Sequence, residues 1–477
     1  AAIPKRYQGL SSRLTYGYND TYMVDINFGY TGSENFQPGR QFGFFPSAAL
    51  GWIPTQYQWV NETIPWLSFL KFRGSYGMVG SDRITNRRFP YLTIVNENAS
   101  TAWASGISGG ITESSVGADN LMWEKSLKAD VGVDAHLFRD KLTFNIDFFE
   151  DKRLGIFQQR QSIPGYVGLL AMPYGNVGKM RSYGSDGNVA FSHDFNRDLG
   201  FTIRANFTYS RNEIENWEQA PQKYPYQSYN GYANGVHRGY IALGLFKDEQ
   251  DVASNPEQTF GGKVLPGDIK YKDINGDGVI NTDDRVALSD PTYPRLMYGF
   301  GGEVRYKSLT LGILFKGRGH TPYYHVGQSV NGVNNGMGYV PFHGGDVGNV
   351  LTVAADPANR WIPMDYALAN GIDPALAENP NARFPRLDYG YNVNNSQLST
   401  WWQGDAWYLR LQEITLNYHI NNDFIKKIGL TSMDVQFVGS NLWVWDNVKL
   451  FDPEQAHHNG RSYPIPARYS LQLYLNF

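Results

Sequence analysis

The chain has 477 residues, a net charge of -3, no cysteine and a mean hydropathy of -0.43. That charge excludes nucleic acid as the partner, because phosphate binding needs a basic surface, and the missing thiols exclude disulfides and thiolate metal sites. No run of about 18 apolar residues occurs, which excludes a helical membrane span but not a barrel, whose strands show lipid only at every second residue.

In chain order, Leu14, Tyr16 and Tyr18 alternate up to Asn19-Asp20, and Tyr22, Val24, Ile26, Phe28 and Tyr30 continue beyond. One apolar face on each side of turn residues is a hairpin signal. A strand follows through Phe42 to Trp52, and Leu70, Phe72, Tyr76 and Met78 mark another. Residues 80–123 read as a long irregular segment rich in Asn, Ser and Gly.

The clearest hairpin comes next. Leu127, Ala129, Val131, Val133, Ala135 and Leu137 lead to Arg139-Asp140, and Leu142, Phe144, Ile146 and Phe148 lead away. Polar or small residues fill the alternate positions, as period-two alternation requires. A loop is expected around 155–178, then a weaker strand near 181–194. Phe201, Ile203, Ala205, Phe207 and Tyr209 line one face of the strand after it. Beyond a long loop over 213–293, two strands (296–306 and 309–316) meet at Lys307-Ser308. A second long loop, 319–405, precedes strands opened by Ile414 and Met433, and the chain finishes in a strand with Tyr469, Leu471, Leu473 and Leu475 on one face.

The count is roughly thirteen strands. Short turns at 19–20, 139–140, 195–198 and 307–308 fall on one side, long loops on the other, as in bacterial outer-membrane barrels. A soluble sandwich keeps its connections short at both ends. With the last strand ending in the periplasm, the first runs downward too, so an odd number of strands is expected before Ala1. The expected fold is therefore all-β, with residues 1–477 forming the C-terminal portion of one transmembrane antiparallel β-barrel.

Three stretches together resemble the SusC-like branch of the TonB-dependent outer-membrane transporters of Bacteroidetes. They are Gly267 to Asn281 with Tyr298-Gly-Phe300; Phe42 to Trp52 with Leu70 to Gly77; and Tyr408 to Tyr418 with Val438-Gly-Ser-Asn-Leu442. The resemblance implies a barrel of roughly 22 strands, whose first strands, plug, TonB-contacting segment and signal precede this chain. It also implies a non-enzymatic importer of oligosaccharides, or alternatively of oligopeptides. Implied partners are a SusD-like surface lipoprotein, TonB-ExbB-ExbD through the N-terminal part, the remainder of the transporter, and outer-membrane lipid. The long loops would be extracellular and the C-terminus periplasmic. A secreted or surface carbohydrate-binding adhesin is the reading of another class, and it would need no detergent.

The segment Asp273-Ile-Asn-Gly-Asp-Gly-Val-Ile-Asn-Thr-Asp-Asp284 fits a twelve-position calcium loop. Asp273, Asn275, Asp277, the Val279 carbonyl, Asn281 and Asp284 would be its ligands, giving a structural Ca2+ site. The other reading is an Asx-turn loop held by its own hydrogen bonds. Tyr323, Tyr324, Trp361, Trp401, Trp402 and Trp407 are candidate sugar-stacking residues, with loop packing or the interfacial aromatic girdle as the alternative. Gly106-Ile-Ser-Gly-Gly110 matches a nucleophile elbow by letter only, since that motif needs a strand before it and a helix after it.

Overall fold

A computed structural model describes residues 6–83, 89–99, 110–118, 120–169, 171–324, 350–388, 392–458 and 463–477. Thirteen strands form one antiparallel sheet whose order follows the chain. By contact density the chain divides into two compact units: residues 1–222 with 228–234 and 300–307, and residues 223–227 with 235–299 and 308–477.

The first unit carries β1 (Tyr7–Tyr18), β2 (Tyr22–Ser33), β3 (Phe42–Trp52), β4 (Leu67–Ser81), β5 (Glu124–Leu137), β6 (Leu142–Gln159), β7 (Tyr174–Asp194) and β8 (Leu199–Asn216). The turns are built as their residues demand. Asn19 and Asp20 sit at φ 49° and 50°, and Arg139 and Asp140 at 58° and 64°; such left-handed pairs match the twist of a tight hairpin. Within this unit, links 19–21, 53–66, 138–141 and 195–198 fall at one end, and 34–41, 82–123 and 160–173 at the other. The link 53–66 departs from the expected short turns: it contains a helical segment, Gln58–Thr63. Two expected loops are partly strand. β6 runs on to Gln159 and β7 starts at Tyr174, while Ile94–Ala99 pairs with Gly110–Ser115 inside the segment read as irregular. Regular pairing satisfies those backbone groups whether or not the side chains alternate. Gly106 to Ser108 lie outside the described residues.

Register keeps the apolar rows together. Trp52 lies opposite Phe72, Phe72 opposite Val133, and Phe144 opposite both Ala135 and Val189. These rows are outside, not inside. Leu14, Leu50, Val131, Phe148 and Ile203 are each more than half exposed. Charged side chains hold the opposite face. Arg73 pairs with Asp134 at 3.2 Å and Asp147 at 2.6 Å, and Arg305 with Asp194 at 2.8 Å. A water-soluble sheet would bury the first face and wet the second. An exposed apolar band over an ion-paired opposite face is the arrangement of a sheet that meets lipid.

The second unit contains β10 (Leu309–Arg318), β11 (Tyr408–Ile420), β12 (Ser432–Asp446) and β13 (Arg468–Asn476); β9 (Leu296–Tyr306) is shared by the two units. Strict alternation would put Arg410 on the same face as Ile414 and Leu416. A bulge prevents it: Leu314 pairs with Glu413 and Phe315 with Leu411, leaving Gln412 unmatched. One extra residue reverses the facing. Arg410 therefore turns away from the apolar row and binds Asp452 through two contacts of 2.7 Å. The link 421–431 carries a short helix, Asp423–Lys427.

Candidate functional site

The long loops of the second unit fold on themselves. Segments 235–299 and 350–405 share a core of Tyr240, Leu245, Ile269, Tyr271, Ile280, Trp361, Phe384 and Trp402. Small ladders frame it: Ala242–Leu245 with Ile269–Tyr271, and Glu257–Gln258 with Val279–Ile280. Burial pushes the Tyr240 phenol up to about 12 and that of Tyr271 higher still, so both stay neutral donors.

A buried polar network ties the two segments. Asp268 is fully buried and forms an ion pair with Arg386 at 2.8 Å; it also accepts Asn395 Nδ2 at 2.8 Å and the Leu265 amide at 2.9 Å. Asn394 accepts from Gln258 at 2.6 Å and donates to the Ile269 carbonyl at 2.9 Å. The Tyr271 hydroxyl donates to the Asn394 carbonyl at 2.7 Å. A carboxylate so deep in protein is tolerable because a cation and fixed dipoles surround it.

The Asp273–Asp284 loop is fastened by its own side chains. Asp273 accepts the amides of Gly276 and Gly278 at 2.7 and 2.8 Å, and Asp277 accepts that of Val279 at 2.9 Å. Gly278, at φ 84°, supplies the left-handed turn. Asp284 is fully buried, its two oxygens taken by the amides of Ile274 (2.8 Å) and Asn281 (2.9 Å). The closing carboxylate of a calcium loop is thus committed to backbone. Among the described residues no three His, Cys, Asp or Glu side chains gather as a metal cluster. Neighbouring Lys223, held up at about 12 by the Asp283 carboxylate 2.6 Å away, pins the loop to segment 223–227.

The six aromatic candidates do not gather on one surface. Tyr323, Tyr324, Trp361 and Trp402 are buried; Trp401 and Trp407 are partly so. Tyr323 packs on Phe451 and Tyr324 on His237. Trp402 donates its indole N–H to the Asn395 carbonyl at 2.8 Å. These contacts are loop packing, the alternative reading from sequence.

A cleft of about 590 Å³ opens in this loop body, within the usual range for small-ligand sites. The buried Arg360 and Trp361 line it together with the apolar Leu265, Pro266, Pro363 and Leu387 and the charged Lys247, Asp248, Glu249, Glu378 and Arg386. Trp361 lies on Gly267, where a Cβ would come within 2.3 Å of the ring. Tyr366 stands over Arg360, ring centre 5.5 Å from the guanidinium carbon. Sequence reading missed Arg360, Tyr366 and Arg386, because no motif links positions separated by such long loops; of the six aromatic candidates, Trp361 lines the cleft.

The profile of the family described as "TonB dependent receptor-like, beta-barrel" matches residues 5–341. TonB-dependent receptor P3 of Formosa agariphila is 25% identical over 462 residues, covering 94% of this chain and 42% of its own length. TonB-dependent receptor SusC of Bacteroides thetaiotaomicron is 23% identical over 480 residues, covering 98% and 43%. The RagAB peptide importer in its "open-open" state superposes with a TM-score of 0.74 at 21% identity, over 99% of this chain and 47% of that one. The chain thus spans less than half the length of these curated relatives.

Proposed function

The chain belongs to the TonB-dependent receptor-like β-barrel family of the outer membrane, and on that premise we propose that it forms the barrel wall and outer loops of a SusC-type importer. The observation that carries this reading is the exposed apolar band on a sheet whose opposite face is ion-paired. The relatives are receptors and transporters rather than enzymes. In this proposal the loop body faces outward beneath a SusD-like lipoprotein, the C-terminus is periplasmic, and TonB drives uptake through sequence outside this chain.

For the substrate, oligosaccharide uptake would rest on the loop aromatics, of which Tyr323, Tyr324 and Trp402 pack inside the loop body while Trp361 lines the cleft, so that support is reduced. An oligopeptide is favoured instead. The cleft combines apolar lining residues with a buried cation, and the similar RagAB structure is of a peptide importer.

Calcium keeps a minor place in the proposal. With Asp284 buried and committed to backbone, Asp273, Asn275, Asp277, the Val279 carbonyl and Asn281 would hold it, Asp273 while still accepting two loop amides. Two carboxylates give a weak site at best, in the millimolar class.

Uptake of a labelled peptide mixture by intact cells tests the function. We expect accumulation that stops on gene deletion and on collapse of the proton-motive force. Uptake that survives the uncoupler would make the protein a passive pore and overturn the reading.

A further inference from the structure

Arg360 is 8% exposed, yet among the described residues no carboxylate pairs with it. Its Nε donates to the Ala355 carbonyl at 3.1 Å, which fixes the guanidinium at the cleft. The neighbouring cation is not equivalent: Arg386 is neutralised by Asp268 at 2.8 Å and Asp388 at 2.9 Å. A buried guanidinium without counter-charge is costly. It fits a site where the ligand supplies the anion, and Arg's planar fork suits a carboxylate best.

The walls decide what carries that carboxylate. Leu265, Pro266, Pro363 and Leu387 offer no hydrogen bonds from their side chains, so their side of the cleft suits an apolar group better than sugar hydroxyls. An aliphatic or aromatic side chain beside a carboxylate suits them. Asp248, Glu249 and Glu378 lie exposed at the rim, where solvent screens them. Asp248 is also occupied in accepting the Asp251 amide at 2.7 Å. Lys247, likewise exposed, adds a positive charge at the rim.

We propose that this cleft captures the C-terminus of an oligopeptide, with Arg360 receiving the terminal carboxylate and the last, apolar side chain lying on Trp361 and the prolines. This deepens the import reading and rests on it. Tyr366 braces the guanidinium and closes one side of the bound chain.

The test uses the full-length protein in detergent and isothermal titration. The probes are an N-acetylated apolar tetrapeptide with a free C-terminus and the same peptide as its carboxamide. The acid should bind tighter by at least about tenfold, the size of one charge-assisted contact. Arg360→Gln should bring the acid down to the amide, and Arg360→Lys should restore part of the difference. Tyr366→Ala should weaken both peptides. If Arg360→Gln fails to fold, the acid-to-amide ratio of the wild type and of Lys247→Gln still decides. Equal binding of acid and amide by the wild type overturns the proposal. So does an oligogalacturonate that binds in place of both peptides and is lost in Arg360→Gln. Acid selectivity without cellular uptake would end the import reading and leave the cleft standing; uptake without selectivity would do the reverse.

Discussion

Ile203 and Leu311 are apolar side chains turned outward, 54% and 40% exposed, on strands whose alternate residues are polar. In water that exposure is unfavourable by roughly 25 cal/mol per Å² of apolar surface, whereas in lipid it is neutral. A cation at such a position loses its hydration instead. Ile203→Arg or Leu311→Arg should destabilise by about 2–4 kcal/mol near the bilayer midplane. Asn145→Arg and Thr310→Arg, on the opposite face, should cost much less. Urea titration of the protein folded into lipid bilayers measures the difference, and equal losses on both faces would mean that neither face meets lipid.

The loop body of the second unit behaves as an element with its own chemistry. Desolvation by packing against Tyr324 lowers the His237 imidazole below its ordinary 6.5, although the residue stays exposed to solvent, so its effect on stability is small. As pH falls below 6.5 the unfolded chain takes up a proton that the folded one refuses, and stability drops until the lowered value is reached. Asp251 follows at lower pH. Burial pulls its carboxyl up, but the Lys247 amide and the Lys270 ammonium outweigh that and hold it below 3.8. Its stabilisation is complete above pH 3.8 and lost as pH falls through the depressed value. Hydrogen exchange should therefore show amides next to His237 losing a little protection as pH falls below 6.5, while the long strands keep theirs, and His237→Gln should remove this first step. The Asp273–Asp284 loop gives a separate expectation. Because its hydrogen bonds are internal, it should keep its protection in EDTA, and millimolar calcium should add only weak heat. Asp273→Ala with Asp277→Ala should abolish that heat and loosen the loop. Tight binding, well below about 10⁻⁴ M, would mean that Asp284 leaves its backbone partners to complete the site.

At the scale of the molecule, one sheet serves two solvents. Its apolar face is the one suited to lipid, and its other face carries the ion pairs. The loops then assemble a second core around Ile269, Tyr271 and Trp402, in which the Tyr271 amide donates to Gln258 and its hydroxyl to the Asn394 carbonyl. In the proposed importer the wall need only be impermeable, and recognition would sit on the separately packed loop body.

The barrel class was legible from residues alone because alternation is local. Leu127 to Leu137 and Phe201 to Tyr209 declare their apolar faces without help from the rest of the chain, and Asn19-Asp20 and Arg139-Asp140 mark where strands reverse. Tertiary structure decided the rest. The bulge at Gln412 reverses the facing of Arg410 and cannot be read from one strand, since it is defined by the partner's register. The burial of Tyr323, Tyr324, Trp361 and Trp402 depends on loops meeting across long stretches of chain, so aromatic content alone does not distinguish a packed ring from an offered one. The cleft depends on the same long-range packing. Asp268 and Asp388 pair with Arg386 and not with Arg360, a choice made by the folded loop body.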